Sequence, residues 1–240
     1  MWKQTFDEFL DEESSRSERA LAPFDLVADY ARYVDGELRE DGVRNFLASR
    51  HIELPEGAPD DPVDARTVRG VGNRKNARLL RALETGGVPT YDGAIELVRA
   101  LRRRHIPMAV VSSSENASAA LHAAGIAQLF DTVVDGHVVK DRHLAGKPAP
   151  DSFLEAARVL GVEPHTSVVV EDAPAGVEAG RAGHFGLVIG VDHHGDPDRL
   201  RARGADLVVA DLAELLSGDG PPVGHRVAAA RRGSPPGHRW

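Results

Sequence analysis

The 240-residue sequence contains no cysteine. Disulfide bonds, thiolate catalysis and cysteine-based zinc sites are therefore excluded. It has no signal peptide and no apolar run of transmembrane length, so we expect a cytoplasmic protein without a membrane partner. Basic residues are in deficit, because 29 Lys and Arg face 37 Asp and Glu and the net charge is -8. This balance argues against nucleic acid as the main partner.

Three common catalytic signatures are also missing. The sequence has no His-Glu-x-x-His motif, no Walker phosphate-binding loop and no Gly-x-Ser-x-Gly nucleophile elbow, so it offers no support for serine hydrolase chemistry. The apolar fraction of 42% and the charged fraction of 28% are close to those of ordinary globular proteins. A chain of this length suits one core domain and a smaller second one.

Residues 1–87 carry only helical patterns. Trp2, Phe6 and Phe9 recur at helical spacing. Asp41 is a plausible N-cap for a second helix that contains Val43 and Phe46. A third apolar stripe is formed by leucines and closes at a Gly-Gly pair; its members are Leu79, Leu80 and Leu83. We expect these stripes to form the core of a small helical domain.

From residue 88 the pattern changes to alternating strands and helices. Apolar segments at 107–111, 130–134, 167–170, 185–191 and 207–210 are separated by helical stretches. This alternation predicts an α/β fold with a doubly wound parallel sheet over residues 88–216. Residues 217–240 are rich in Gly, Pro, Arg and His, and we expect a disordered tail there.

Acidic side chains follow one of these predicted strands directly. Residues 168–170 are three valines, and Glu171 and Asp172 come next. Open α/β sheets bind ligands at the carboxyl ends of their strands. Two hard oxygen ligands at that edge favour Mg²⁺, which takes one or two carboxylates together with phosphate and water. A solvated turn is the alternative for this acid pair.

Two further segments carry polar groups suited to a phosphate. Residues 108–111 form an apolar strand that ends in Ser112, Ser113 and Ser114. Serines at such a junction can cap the following helix, or help its N–H groups to hold a phosphate. Lys147 lies on a loop that Pro148 and a second proline make stiff. It either points into solvent or neutralises a phosphoryl oxygen.

Taken in this order, Ser112, Lys147 and the acid pair resemble the second, third and fourth motifs of the haloacid dehalogenase superfamily of phosphotransferases. Residues 111–116, 147–151 and 171–176 fit its β-phosphoglucomutase-like subgroup. Trp2 and Lys3 resemble the start of that subgroup's cap helix, and residues 69–74 resemble its cap-domain substrate loop. The resemblance covers about residues 1–216 and implies a helical cap domain at 1–87.

The resemblance implies a role for each matched residue. Glu171 and Asp172 would hold Mg²⁺, while Lys147 and Ser112 would act on the transferred phosphoryl group. Other residues would contact the phosphate or the sugar: Ser113, Ser114, Asn116, Arg74, Arg69 and Trp2. Arg74 is the main candidate for gripping a second phosphate, with Arg69 or Lys75 as alternatives, and Trp2 could instead be a packing residue. The implied reaction of this monomer converts β-glucose 1-phosphate to glucose 6-phosphate.

The sequence departs from the family pattern in three places. The first motif, Asp-x-Asp-Gly, which supplies the nucleophile, occurs nowhere in the chain. We therefore expect a truncated and inactive chain whose missing strand leaves two interior strands with unpaired edges. Glu115 stands where the mutases carry a lysine, and its charge would repel a second phosphate. The cap loop is also one residue longer, so a sugar-phosphate phosphatase and an inactive phosphosugar-binding remnant stay open as alternatives.

Overall fold

The computed structural model describes residues 1–86, 88, 90–193 and 195–216. The predicted tail at 217–240 lies outside these residues. We call the helical part before residue 88 the cap and the part that follows it the core. The described residues of the cap form four helices: α1 (Trp2–Ser17), α2 (Ala28–Tyr33), α3 (Arg39–Ser49) and α4 (Val68–Gly86). No helix in the described ranges combines the length and the apolar character that crossing a membrane requires.

The cap folds around a cluster of aromatic rings. Phe6 and Phe9 of α1 pack with Phe24 and with Phe46 of α3, and all four are at most 1% exposed. The ring centroids of Phe6 and Phe46 are 4.2 Å apart. Burying a side chain of this kind contributes roughly 1.5–3 kcal/mol, so the cluster is a main source of cap stability, as the apolar stripes of α1 and α3 predict.

Two predictions about the cap helices are wrong. Helix α3 begins at Arg39, so Asp41 lies in its first turn and does not cap it. Residues 69–74, predicted to be a loop, form the first turns of α4. The Thr67 side-chain oxygen accepts a hydrogen bond of 2.9 Å from the Gly70 N–H, which is the geometry of an N-cap. A threonine three residues before a glycine therefore starts the helix where a loop was expected.

The leucine stripe of α4 contributes less to the core than predicted. Leu80 is 39% exposed, and Leu79 and Leu83 are half-buried. The buried apolar side chains of α4 are instead Val68 and Val71, which join the aromatic cluster. The N-terminal turns of α4 thus make its contact with the aromatic cluster, and the leucines are not among the residues of that cluster.

The core alternates strands and helices as predicted. Its helices are α5 (Asp92–Arg103), α6 (Ala117–Ala123), α7 (Gly136–Asp141), α8 (Asp151–Leu160), α9 (Pro174–Ala182) and α10 (Pro197–Arg201). Its strands are β1 (Ala109–Val111), β2 (Thr132–Val134), β3 (Val168–Glu171), β4 (Leu187–Val191) and β5 (Leu207–Val209). All paired strands run parallel, with β1 beside β2 and β4 between β3 and β5. The α/β fold with a parallel sheet is confirmed.

Strand β4 is covered on both faces, as a doubly wound arrangement requires. Leu187, Ile189 and Val191 pack against the short helical turn at 212–215. Val188 points to the other side, toward Val177 of α9. The alternation of side chains along the strand therefore serves two separate apolar layers.

Strand β3 is less buried than its three valines predict. Val168 is 54% exposed and Val170 is 41% exposed, whereas Val169 is only 4% exposed. Among the described strands, β3 pairs only with β4 and β1 pairs only with β2. One edge of each strand is left without a neighbour, and one face of β3 lacks an apolar cover. Three consecutive valines predict a strand buried on both faces, and this prediction is correct only for the face toward α9.

Candidate active site

A cavity of about 310 Å³ lies where the ends of β1 and β3 meet the cap. Both strands end at this cavity because parallel strands present their carboxyl ends at one edge of a sheet. Its polar lining consists of Asp35, Glu37, Arg39, Lys75, Ser112, Ser113, Ser114, Glu115, Asn116, Lys147, Glu171 and Asp172. The three core segments that the sequence singled out are therefore brought together in one place.

Lys147 and Glu171 form an ion pair at one end of the cavity. Their side chains are only 6% and 9% exposed, so the solvated alternative for Lys147 is wrong. The Glu171 carboxylate also accepts a 3.3 Å hydrogen bond from the Ala173 N–H. Gly176 makes room for it, since a Cβ there would lie 2.2 Å from the Glu171 carboxyl carbon. The start of α9 is thus shaped around this carboxylate.

The serine hydroxyls after β1 take part in local hydrogen bonds. The Ser112 oxygen accepts from the Ser114 N–H at 3.1 Å, and the Ser114 oxygen accepts from the Asn116 N–H at 3.2 Å. Both hydroxyls keep their own proton for donation to a ligand. The Ser113 hydroxyl instead donates to the Gly36 carbonyl of the cap at 2.6 Å. Neither bond caps α6, which begins at Ala117 after Asn116 and has no side-chain cap. Ser112 and Ser114 can therefore donate to a ligand, while Ser113 holds the cap.

The cap arginines singled out in the sequence do not line the cavity. Arg74 pairs with Glu12 at 2.9 Å on the outer side of the cap, and Arg69 lies 3.9 Å from the Glu40 carboxylate. The glycines of this segment face protein atoms, because a Cβ at Gly70 would lie 2.2 Å from the Ala65 carbonyl oxygen. They serve helix packing and not the approach of a ligand.

Arg39 and Lys75 are the cap cations that reach the cavity. The sequence reasoning missed Arg39 and gave Lys75 only as an alternative to Arg74. Consecutive residues on a helix point about 100° apart, so Arg74 and Lys75 face different sides of α4. Recognising Thr67 as an N-cap would have placed this segment on a helix and separated the two side chains.

Lys75 lies in a desolvated position. Burial and the neighbouring Arg39 charge lower the pKa of Lys75 to about 8, and Glu115 offsets part of this effect. Its ammonium group is 5.1 Å from the centre of the Trp2 ring. Trp2 stacks on Phe6 at 5.1 Å and also lines the cavity. The packing and ligand-facing alternatives for Trp2 thus both apply.

Several polar contacts hold the cap closed on the core. Besides the Ser113 hydrogen bond to the cap, the Asn116 amide donates to the side chain of Asn76 on α4. Arg199 of α10 lies 3.5 Å from the carboxylate of Asp35. Glu115 pairs with Arg39 at 2.7 Å. Every one of these cap partners except Asn76 lines the cavity, so the closure contacts and the cavity share residues.

The carboxylates at the end of β3 suit a hard cation. Asp172 is exposed, and its carboxylate accepts no hydrogen bond from the described residues. With Glu171 it offers two oxygen donors, which matches the one or two carboxylates that Mg²⁺ takes beside water and phosphate. No group of three or more His, Asp or Glu side chains within the described ranges is arranged to hold a metal by itself. The donor set therefore fits Mg²⁺ only with additional oxygen ligands.

The described residues of the acidic and histidine-rich segment at 192–196 are not among those that line the cavity. His193 stacks on Tyr91 with ring centroids 4.5 Å apart. His194 lies outside the described residues. His193 thus contacts the region that joins cap and core.

Comparison with known proteins places the chain in a family. Residues 6–184 match the haloacid dehalogenase-like hydrolases. The β-phosphoglucomutase of Mycobacterium tuberculosis is 49% identical over 218 residues, which cover 90% of this chain and 83% of that protein. Hexitol phosphatase A of Escherichia coli is 38% identical over 197 residues, which cover 81% of this chain and 79% of that protein.

The fold comparison agrees with the sequence comparison. The crystal structure of β-phosphoglucomutase from Clostridium difficile superposes with a TM-score of 0.69 at 21% identity, covering 89% of this chain and 85% of that one. A likeness at this level of identity supports the fold alone. The family match and the 49% identity to a β-phosphoglucomutase show that the chain belongs to the haloacid dehalogenase-like hydrolases, in the β-phosphoglucomutase-like subgroup of phosphomutases and phosphatases.

Proposed function

We propose that the chain binds a phosphorylated sugar in the cavity between cap and core. The observation that carries this proposal is the lining of that cavity, where three cations stand among five carboxylates around a space of about 310 Å³. The cations are Lys147, Arg39 and Lys75, and the hydroxyls of Ser112 and Ser114 add hydrogen-bond donors. The reaction class is Mg²⁺-dependent phosphoryl transfer, with β-glucose 1-phosphate to glucose 6-phosphate as the mutase form. The division into cap domain 1–87 and core domain 88–216 is part of this proposal.

Each end of the cavity has its own role. Lys147 exchanges Glu171 for a phosphoryl oxygen, and the Ser112 hydroxyl donates a second hydrogen bond to that group. Glu171 and Asp172 would hold Mg²⁺, which supplies charge stabilisation to a phosphoryl group when bound. Arg39 and Lys75 face the part of the sugar that does not react, and the closed cap excludes water from it.

Turnover requires a group that the sequence does not contain. Phosphoryl transfer through an aspartyl intermediate needs an attacking carboxylate, and no Asp-x-Asp-Gly motif occurs in the 240 residues. We therefore propose that this chain binds and orients the phosphorylated sugar without turning it over. The names of the relatives support both a mutase and a phosphatase as the parent activity. Cytoplasmic location and the monomeric state stay predictions.

Isothermal titration of the full chain with glucose 6-phosphate, with and without MgCl₂, tests the proposal. We expect glucose 6-phosphate to bind saturably at one site, and to bind more tightly with MgCl₂. Unphosphorylated glucose should not bind. Lys75→Gln should weaken binding because it removes a cavity charge. Arg74→Gln removes an equal charge outside the cavity and should leave binding unchanged. No binding of any sugar phosphate by the folded wild-type chain would refute the proposed function.

Binding is also expected to depend on the protonation of Lys75. Because the pKa of Lys75 is about 8 in the free protein, its charge is present below that pH and is lost above it. A sugar phosphate is already a dianion there, since its second pKa is about 6. The carboxyl pKa of the neighbouring Glu115 is lowered and the pKa of Tyr30 is raised, so neither titrates in this range.

We therefore expect affinity for glucose 6-phosphate to fall on the order of tenfold between about pH 7 and pH 9.5. The bound anion raises the pKa of Lys75, so in the complex Lys75 loses its charge over a range centred above pH 8. Titration calorimetry at both pH values measures it. Lys75→Arg keeps the charge and should remove most of the pH dependence. An unchanged pH profile in that variant would show that another group titrates.

A further inference from the structure

Glu115 lies inside the cavity and is already paired with the cap cation that faces it. Its carboxylate is 2.7 Å from the Arg39 guanidinium and also contacts the Lys140 ammonium. The same Arg39 nitrogen lies 3.0 Å from Glu40, and Lys140 bonds Glu40 at 3.1 Å. Two carboxylates and two cations therefore form one closed network across the junction of cap and core.

The network is mostly shielded from water. The side chains of Arg39, Glu115 and Glu40 are 13%, 14% and 9% exposed. Burial alone would raise the pKa of Glu115, but the hydrogen bond from Lys140 and the charge of Arg39 outweigh it, and its pKa is lowered. Glu115 is therefore an anion at neutral pH, in a setting where charges are weakly screened.

Arg39 has little freedom to turn toward another partner. Its aliphatic stem lies against α4, where a Cβ at Gly72 would be 3.4 Å from the Arg39 Cγ and Cδ atoms. Its Nε atom is buried without a hydrogen-bond partner among the described residues. A second phosphate that entered this end of the cavity would have to displace Glu115 from Arg39, or lie beside it as a like charge.

We propose that Glu115 is a specificity-determining residue that selects sugars carrying one phosphate and rejects those carrying two. Its carboxylate fills the anion position at the cap end, while the Lys147 end stays open to a single phosphoryl group. Discrimination arises because the Glu115 carboxylate repels a second phosphate, which weakens binding. A sugar hydroxyl in the same place carries no charge and is not repelled. This inference rests on the proposed function and narrows it to monophosphates, which favours the phosphatase form.

The test compares glucose 6-phosphate with glucose 1,6-bisphosphate by titration calorimetry on the folded full-length chain. Wild type is expected to bind the bisphosphate no more tightly than the monophosphate, although the bisphosphate carries the larger charge. Glu115→Gln is expected to raise the affinity for the bisphosphate, relative to that for the monophosphate, by roughly tenfold or more. Glu12→Gln makes the same change in net charge at the Arg74 pair outside the cavity and should behave as wild type.

The outcomes separate this inference from the proposed function. If wild type binds neither sugar, the proposed function fails. If it binds the monophosphate but binds the bisphosphate more tightly, Glu115 does not reject a second phosphate. Equal strengthening of both ligands by Glu115→Gln would make Glu115 a contact that only holds the cap, and would overturn the inference. Glu115→Ser, which is smaller, repeats the comparison if the glutamine variant unfolds.

Discussion

Replacing Lys147 with methionine is expected to lower the free energy of unfolding by about 3–5 kcal/mol and to abolish sugar-phosphate binding. Lys147 and Glu171 are paired with side chains only 6% and 9% exposed. Removing the ammonium group leaves a buried carboxylate without its cation, and it also removes the charge proposed to meet the phosphoryl group. Urea unfolding and titration calorimetry with glucose 6-phosphate measure the two losses separately.

Two control variants test the physical reason given for this prediction. Combining Lys147→Met with Glu171→Gln should recover most of the stability but not the binding, because no unpaired charge remains. Lys3→Met breaks the 2.7 Å ion pair between Lys3 and Asp7, whose side chains are 42% and 28% exposed. This variant should lower the free energy of unfolding by no more than about 1 kcal/mol. If Lys147→Met cost no more than Lys3→Met and kept its affinity, the assignment of Lys147 to the site would be wrong.

Replacing Phe46 with alanine is expected to destabilise the protein by about 3–5 kcal/mol. The Phe46 ring is fully buried and lies 4.2 Å from the Phe6 ring and 4.9 Å from the Phe24 ring. Alanine would leave a cavity in the middle of the cap, which the remaining rings can fill only in part. Urea unfolding followed by circular dichroism measures the change.

The matched control for this variant lies on another helix of the cap. Leu80→Ala removes an apolar side chain that is 39% exposed, and we expect a change within roughly 1 kcal/mol. Since the cap supplies Arg39 and Lys75 to the cavity, Phe46→Ala should also weaken sugar-phosphate binding. Equal destabilisation by both variants would show that the aromatic cluster is not the centre of the cap.

Local pattern was sufficient to predict the α/β core and the three segments that meet at the site. A strand that ends in Glu171 and Asp172 places both acids at the carboxyl edge of the sheet, because all parallel strands end at that edge. This placement does not depend on the path of the rest of the chain. The same holds for Ser112 after β1. The glycine that ends α8, Gly161 with φ of +67°, is likewise a local signal. The family could be recognised from these residues alone.

Contacts between residues that are far apart in the sequence could not be predicted in the same way. Whether Lys147 meets water or Glu171 depends on how a loop returns to the sheet, 24 residues before the acid. Arg74 and Lys75 are equal as charges in the sequence, and only the turn of α4 sends one outward to Glu12 and the other to the cavity. Val168 and Val170 are apolar strand residues of the kind usually buried. Their exposure depends on which elements pack against β3, and the sequence pattern does not specify this.

The sequence by itself thus determined the kinds of chemical group at the site and the order in which the strands deliver them, since both follow from local backbone preference. Only the tertiary structure decided which charges meet. Arg39 reaches Glu115 from 76 positions away in the chain, and Lys140 reaches Glu40 across 100. Such pairings depend on the docking of the cap against the core, which the packing of the whole chain governs and no local pattern records.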